Sequence, residues 1–174
     1  EDIKGEAAVY SGADADQNLL EAEGLQSDAG IKPFDFHIKK GEVNGFTGLL
    51  GSGRSESVRA IFGADHVLKG SVKVEGKTVK IHKPLDAMKA GIAYLPEDRK
   101  IDGIVGALSV RENIILAAQV LKGFFHPFSK AQANKFADEY IKLLEIKTAS
   151  ADTPIKSLSG GNQQKCILAR WLLT

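Results

Sequence analysis

Leu158-Ser159-Gly160-Gly161-Asn162-Gln163-Gln164-Lys165 opens the apolar run that closes the chain, with Cys166, Ile167, Leu168 and Trp171 following at helical spacing. Serine is a preferred helix cap, so a helix is expected to start near Ser159 and to run to the end. Two glycines directly after the cap work against that helix, each by about 1 kcal/mol relative to alanine. A cap alone does not require them. Bare amides at a helix N-terminus, where the dipole is positive, do suit an anion such as phosphate. The glycine pair therefore favours an anion-binding helix start over a simply capped one.

A second glycine-rich stretch lies upstream: Gly48-Leu49-Leu50-Gly51-Ser52-Gly53-Arg54-Ser55. It matches the phosphate-cradling pattern G-x-x-x-x-G-K-[ST] at every fixed position except one, where Arg54 replaces lysine. An extended run from Glu42 to Leu49, apolar at Val43, Phe46 and Leu49, precedes it, and a helix-compatible stretch from Arg54 to Phe62 follows. Glycines let backbone amides converge on phosphate oxygens, and Ser55 keeps the hydroxyl that would face Mg²⁺. Lysine is a compact point charge and arginine a planar fork, so Arg54 need not reach the same bridging oxygens. Read alone, this motif fits a phosphate loop and an ordinary strand-to-helix turn about equally.

Working outward, Phe34, Phe36 and Ile38 alternate with Asp35, His37 and Lys39, a half-buried strand. Gly63 is a stop signal for the helix beginning at Arg54. Ser71–Val74 and Thr78–Ile81 flank Glu75-Gly76-Lys77 and read as a hairpin. Pro84 opens a short helix and Gly91 closes it. Ile92–Leu95 reads as a short strand. Ser109-Val110-Arg111-Glu112 and Ser129-Lys130-Ala131-Gln132 are capping boxes that start two helices. In the second of these, Phe136, Tyr140, Leu143 and Leu144 make one apolar stripe. Strands, a phosphate-type loop and then a set of helices give an α/β class with a helical subdomain.

Composition narrows the function. The 174 residues are 43% apolar and 26% charged, a globular balance with enough chain for one core. The longest apolar runs fall far short of a membrane span, and no signal-peptide pattern opens the chain. One cysteine and four scattered histidines leave no disulfide framework and no zinc-type ligand spacing. The net charge of +1 conceals a split: residues 1–30 hold eight acidic and one basic residue, the remainder 14 acidic and 22 basic. The basic part suits phosphate ligands, and residues 1–18 read as an acidic linker or arm. The chain begins at Glu1 and stops at Thr174 within a helix-like run, which reads as a piece of a longer protein.

Between the two glycine motifs stands Ala93-Tyr94-Leu95-Pro96-Glu97-Asp98-Arg99-Lys100, by itself a charged surface loop. In this order, Gly-Ser-Gly-Arg, Pro-Glu-Asp-Arg-Lys and Leu-Ser-Gly-Gly-Asn-Gln-Gln-Lys together are far more specific than any one of them. The last resembles the LSGGQ signature of ABC-type ATPases, with Asn162 at the glutamine position. The set closely resembles the second ATP-binding cassette of tandem-cassette bacterial sugar importers of the ribose, galactose and xylose type, from about Leu19 to Thr174. Residues 1–18 then match an inter-cassette linker.

The resemblance implies a P-loop NTPase-type cassette, here a partial one spanning 19–174, with an antiparallel β subdomain and a helical subdomain at about 96–160. It implies ATP and Mg²⁺ as cofactors. The nucleotide-binding set is Gly48, Gly51, Ser52, Gly53, Arg54, Ser55 and Glu56 in the phosphate loop, Glu97 at the position of the family's Q-loop glutamine, and Ser159, Gly160, Gly161 and Asn162 in the signature. Ser55 and Glu97 are the implied metal contacts. In the family, a signature serves ATP held by the other cassette. The implied partners are therefore a first cassette on the same polypeptide, transmembrane permease subunits and, indirectly, a periplasmic sugar-binding protein, with no nucleic acid. The implied activity of the full-length protein is transport-coupled ATP hydrolysis at the cytoplasmic face of the cell membrane.

Departures from the pattern matter equally. Arg54 and Glu97 make the chain's own phosphate site look degenerate, because an acid at the glutamine position would repel a γ-phosphate. Gln26-Ser27-Asp28-Ala29-Gly30 offers no aromatic to stack on adenine. The Walker B strand, catalytic glutamate, D-loop and switch histidine are absent from the sequence. No catalytic residue is therefore assigned within the chain, and this stretch alone is expected to be inactive. A nucleoside importer cassette is a close alternative, and a nucleotide-responsive ABC-type scaffold outside transport a more distant one. Cys166 reads as a small buried hydrophobe, Ile167, Leu168 and Trp171 as core-facing, and Phe124, Phe125 and Phe128 as loop packing or a partner surface.

Overall fold

The computed structural model describes residues 17–123 and 125–174. The arm expected at 1–18 lies almost wholly outside the described residues, as does Phe124. The chain divides into two compact units, Glu1–Ala90 and Gly91–Thr174.

The first unit is built on a four-stranded antiparallel sheet. Strand β1 is Asn18–Ser27, β2 Phe34–Lys39, β3 Val67–Val74 and β4 Lys77–Val79, in the order β2-β1-β3-β4. β2 keeps the alternation read from Phe34, Phe36 and Ile38, which are half-buried while Asp35 and His37 are exposed. The β3–β4 hairpin turns on Glu75 and Gly76, both at positive φ (49° and 73°), with Val74 paired to Lys77. That two-residue geometry matches the right-handed twist of the flanking strands and explains the glycine. β1 shifts register between Glu23 and Gln26, and carries Ala22 and Leu25 into the core with Val72.

Helix α1, Arg54–Phe62, buries Ala60, Ile61 and Phe62 and ends at Gly63, whose φ of 71° makes the left-handed cap read from the sequence. Helix α2, Pro84–Lys89, starts on its proline.

Two expected strands do not form. Residues 42–49 and 92–95 carry no strand pairing, and Val43 and Leu49 are 93% and 86% exposed. Their apolar content is strand-like, but a strand is held by ladder bonds to a neighbour. Among the described residues no strand pairs with either stretch.

The second unit is helical. Helices α3, Val110–Lys122, and α4, Lys130–Leu143, begin at the capping boxes of Ser109 with Glu112 and Ser129 with Gln132. Helix α5 is Gly160–Leu172. Its core joins Val110, Ile114, Ala137, Ile146, Ile155, Cys166 and Ala169. On α4 the buried stripe is Ala133 and Ala137, with Tyr140, Ile141 and Leu144 packed against the core; Leu143 is exposed, off the stripe expected of it. A helix turn of 100° per residue sets Leu143 to one side of the Ala133–Ala137–Tyr140 line. Likewise Ile167 is fully buried, but Leu168 faces out. The segment Arg99–Gly103, read as a loop, winds into a π-helical turn, capped by Asp98 accepting from the amides of Lys100 and Ile101.

Candidate functional site

The glycine-motif residues fall in both units. Gly48, Gly51, Ser52, Gly53, Arg54, Ser55 and Glu56 belong to the first; Glu97, Ser159, Gly160, Gly161 and Asn162 belong to the second.

In the first unit the loop turns at Leu49–Ser52, closed by the Ser52 amide donating to Leu49 O at 3.0 Å. A side chain at Gly48 would collide with the Ser52 hydroxyl, which explains glycine there. Gly53 takes a left-handed φ of 86° and serves as the N-cap of α1 without any side-chain cap. The backbone thus enters α1 with its first amides left to other acceptors. Ser57, one turn in, is spent on Gly53 O through both its amide (2.9 Å) and its hydroxyl (2.7 Å). Arg54, Ser55 and Glu56 form the first turn and are half-buried. An uncapped helix start behind glycines fits phosphate, and Glu56 in the same turn adds an acid beside it.

In the second unit, Ser109, Ser129 and Ser159 all begin helices with nearly the same extended backbone, φ between −60° and −67°. Ser109 and Ser129 accept from the amide three residues on, at 3.2 and 3.3 Å. Ser159 does not: α5 has no side-chain cap. Its Oγ instead accepts from Asn162 Nδ2 at 2.9 Å, and Asn162 Oδ1 accepts from the Lys147 amide at 2.9 Å. The simple-cap reading of Ser159 therefore fails. The amides that open α5 are left without a side-chain acceptor, next to an exposed serine and an exposed Gly161.

The space above Gly160 is occupied. A Cβ there would strike the Arg99 guanidinium. Above Gly161 there is nothing within 4 Å. The two glycines thus serve different ends: Gly160 admits a cation to the start of α5, and Gly161 keeps its outer face open. The Nε of Arg99 is buried without a hydrogen-bond partner. A cation and free amides at one helix start reinforce each other toward an anion.

Behind this face, Arg170 is buried and donates to Asn113 O (2.8 Å), Gly103 O (2.7 Å) and Asn113 Oδ1 (3.0 Å). Among the described residues no carboxylate answers it, and burial lowers its pKa from the ordinary guanidinium value. Asn113, fully buried, also binds both backbone groups of Val105. α5, α3 and the turn after Glu97 are thereby joined by one polar network. Sequence reasoning missed Arg99, Asn113, Lys147 and Arg170. A polar Asn113 on the apolar face of α3 was a usable signal; Lys147 carried none, because only its backbone is used. Cys166 is buried, its thiol pushed up to about 11 by burial, as a small hydrophobe would be. Phe128 packs edge-on against Phe136 at 5.3 Å, the loop-packing alternative, while Phe125 is exposed.

For a metal, Ser55 and Glu97 lie in different units, and no group of three His, Cys, Asp or Glu side chains gathers among the described residues. No helix is long and apolar enough to cross a membrane among them.

The chain is similar to known proteins in both sequence and fold. The chain is 46% identical over 156 residues to the fructose import ATP-binding protein FruK of Bifidobacterium longum, covering 90% of the chain and 30% of that protein. It is 48% identical over 144 residues to the galactofuranose transporter ATP-binding protein YtfR of Escherichia coli, covering 83% and 29%. The chain thus spans about 30% of the length of these relatives. Its fold matches a nucleotide-free ATP-binding cassette of an ABC transporter with a TM-score of 0.69 at 20% identity, covering 90% of the chain and 65% of that one. It also matches a dimeric bacterial ABC transporter cassette, with a TM-score of 0.67 at 22% identity, covering 88% and 68%. The fold is that of an ABC ATPase cassette, with its antiparallel sheet and helices. The ABC transporter family model matches residues 31–174, and the chain belongs to that family.

Proposed function

We propose that the chain is part of the second cassette in the ATP-binding subunit of a sugar importer, and that its main contribution to ATP turnover is its signature. The observation that carries this is the start of α5: an uncapped helix, an exposed Ser159, an open face at Gly161 and the Arg99 guanidinium packed at Gly160. These groups suit the γ-phosphate of an ATP held by the first cassette of the same polypeptide. In the chain's own phosphate loop, Gly48, Gly51, Ser52, Gly53 and Ser55 retain the cradle, with the Ser55 hydroxyl as the group to meet Mg²⁺. Arg54 in place of lysine, with the acid Glu56 in the same turn, makes that site the weaker of the two. The relatives' printed roles in fructose and galactofuranose import support a sugar as cargo. Permease subunits at the cytoplasmic face of the membrane complete the assembly.

The test is reconstitution. The complete ATP-binding subunit is placed with its permease in liposomes, and ATP hydrolysis is measured with and without a sugar-loaded binding protein. Hydrolysis that rises with sugar supports the reading. A subunit that does not associate with any permease, or whose hydrolysis ignores sugar, contradicts it.

A further inference from the structure

The asparagine of the signature has a task of its own, which rests on the function proposed above. The three serine-started helices of the second unit differ at one position. Where α3 and α4 have Glu112 and Gln132 three residues after the serine, α5 has Asn162. The longer side chains reach back to the serine amide, at 2.8 Å for Glu112 and 3.1 Å for Gln132, and the serine hydroxyl caps the helix. The Ser109 and Ser129 hydroxyls also donate to those same side chains, at 2.6 and 3.2 Å. Asn162, one methylene shorter, meets Ser159 at the hydroxyl alone, and there its Nδ2 is the donor.

The direction of that bond follows from the other end of the amide. The Lys147 N–H can only donate, so the atom facing it at 2.9 Å is Oδ1. Nδ2 is then the atom on Ser159, and it can only donate. The Ser159 oxygen is thus an acceptor toward Asn162, and its own hydrogen must point to another acceptor. Among the described residues none accepts it: the carbonyls of the first turn of α5 are directed down the helix, and its open end presents N–H groups. Two residues therefore hold Ser159 as a donor: Lys147 sets the amide, and the amide sets the hydroxyl.

We propose that Asn162 is a positioning residue that orients the Ser159 hydroxyl as a hydrogen-bond donor to a phosphate oxygen, using the Lys147 backbone as its anchor. It need not touch the nucleotide itself. A glutamine at 162 would free Ser159 to cap the helix, as Ser109 and Ser129 do, at the expense of the bare amides.

The experiment is a double-mutant cycle in the complete ATP-binding subunit with its permease, reading kcat and KM for ATP hydrolysis together with thermal melting. Ser159→Ala removes a hydrogen bond to a charged group, a loss of about 10- to 100-fold in kcat. Asn162→Ala is expected to lower kcat by roughly 5- to 10-fold when Ser159 is present, a fraction of that same bond. It should have no further effect on kcat when Ser159 is already alanine. Its melting shift should persist in both backgrounds, because the Lys147 contact is lost in each. Asn162→Asp keeps an acceptor for Lys147, so it covers a failure of the alanine variant to fold. It turns the serine bond around, and the part of its loss that depends on Ser159 should again be several-fold. Effects that simply multiply across the cycle would overturn the positioning role while leaving the signature function intact. A silent Ser159→Ala would overturn the signature function, and this role with it.

Discussion

Replacing Asn113 by alanine tests whether the polar network behind α5 holds the second unit together. The Asn113 side chain is fully buried. Its Oδ1 accepts from the Val105 amide at 2.9 Å and from Arg170 Nη2 at 3.0 Å, and its Nδ2 donates to Val105 O at 3.1 Å and Ser109 O at 3.0 Å. Truncation orphans the Val105 amide, at about 1–3 kcal/mol, and removes one acceptor from a buried cation, at about 1.5–3 kcal/mol. Alanine recovers about 0.5 kcal/mol of helix propensity. The net expectation is a loss of about 3 kcal/mol. With a urea m-value of about 2 kcal/mol/M, the unfolding midpoint followed by far-UV circular dichroism should fall by about 1.5 M. The same change made in an Arg170→Met background should cost about half as much, because no buried charge is then stranded. A midpoint shift below about 0.5 M, or equal costs in the two backgrounds, would refute the network's role.

Other outcomes follow from the same structure. Cys166, buried and with its thiol pushed up to about 11, should resist a thiol reagent at pH 8 until the protein unfolds. Because its pKa is raised in the fold, its contribution is unchanged below the unfolded value of about 8.5 and becomes destabilising as pH rises from there toward 11. Rapid labelling of the native protein would contradict that burial. The Ser109 hydroxyl and amide hold the Glu112 carboxyl below its ordinary value. Its stabilising effect is thus present above the unfolded value of about 4.3 and is lost as pH falls through the lower folded value. Acid unfolding of Glu112→Gln should accordingly be less steep than that of the parent, and equal slopes would exclude the effect. Phosphate or ATP binding to the Gly48–Ser55 loop, measured by calorimetry, should be weak and little affected by the base; tight, adenine-selective binding would contradict its degenerate reading.

Local chemistry explains most of what the residues disclosed in advance. Capping boxes at Ser109 and Ser129, the proline start of α2, the glycine stop at Gly63 and the Glu75-Gly76 turn are decided within a few residues, and each formed where it was read. The stretches at 42–49 and 92–95 depend on a distant neighbour to supply ladder bonds, which no local pattern encodes. β1 escaped notice because its core-facing Ala22 and Leu25 are separated by a register shift at Glu23–Gln26, which breaks the alternation. At the candidate site, the phosphate-loop pattern was legible from spacing, and the signature from its resemblance to a family motif. The bond from Asn162 to Ser159 was not, because it depends on the backbone of Lys147, whose side chain plays no part. The Arg99 guanidinium at Gly160 was hidden for a related reason: it arrives from a π-helical turn that the charged sequence around it resembles a loop in hiding.

The division of labour between the two glycine motifs is tested most directly by sugar-stimulated ATP hydrolysis of the complete transporter carrying Gly161→Asp or Arg54→Ala. Gly161 is the better of the two signature glycines to change, because its outer face is open, whereas an acid at Gly160 would meet Arg99. A carboxylate on that open face would repel the γ-phosphate of the partner cassette's ATP. Gly161→Asp is expected to remove most of the stimulated hydrolysis, and Arg54→Ala much less. Equal losses, or a greater loss from Arg54→Ala, would contradict the account.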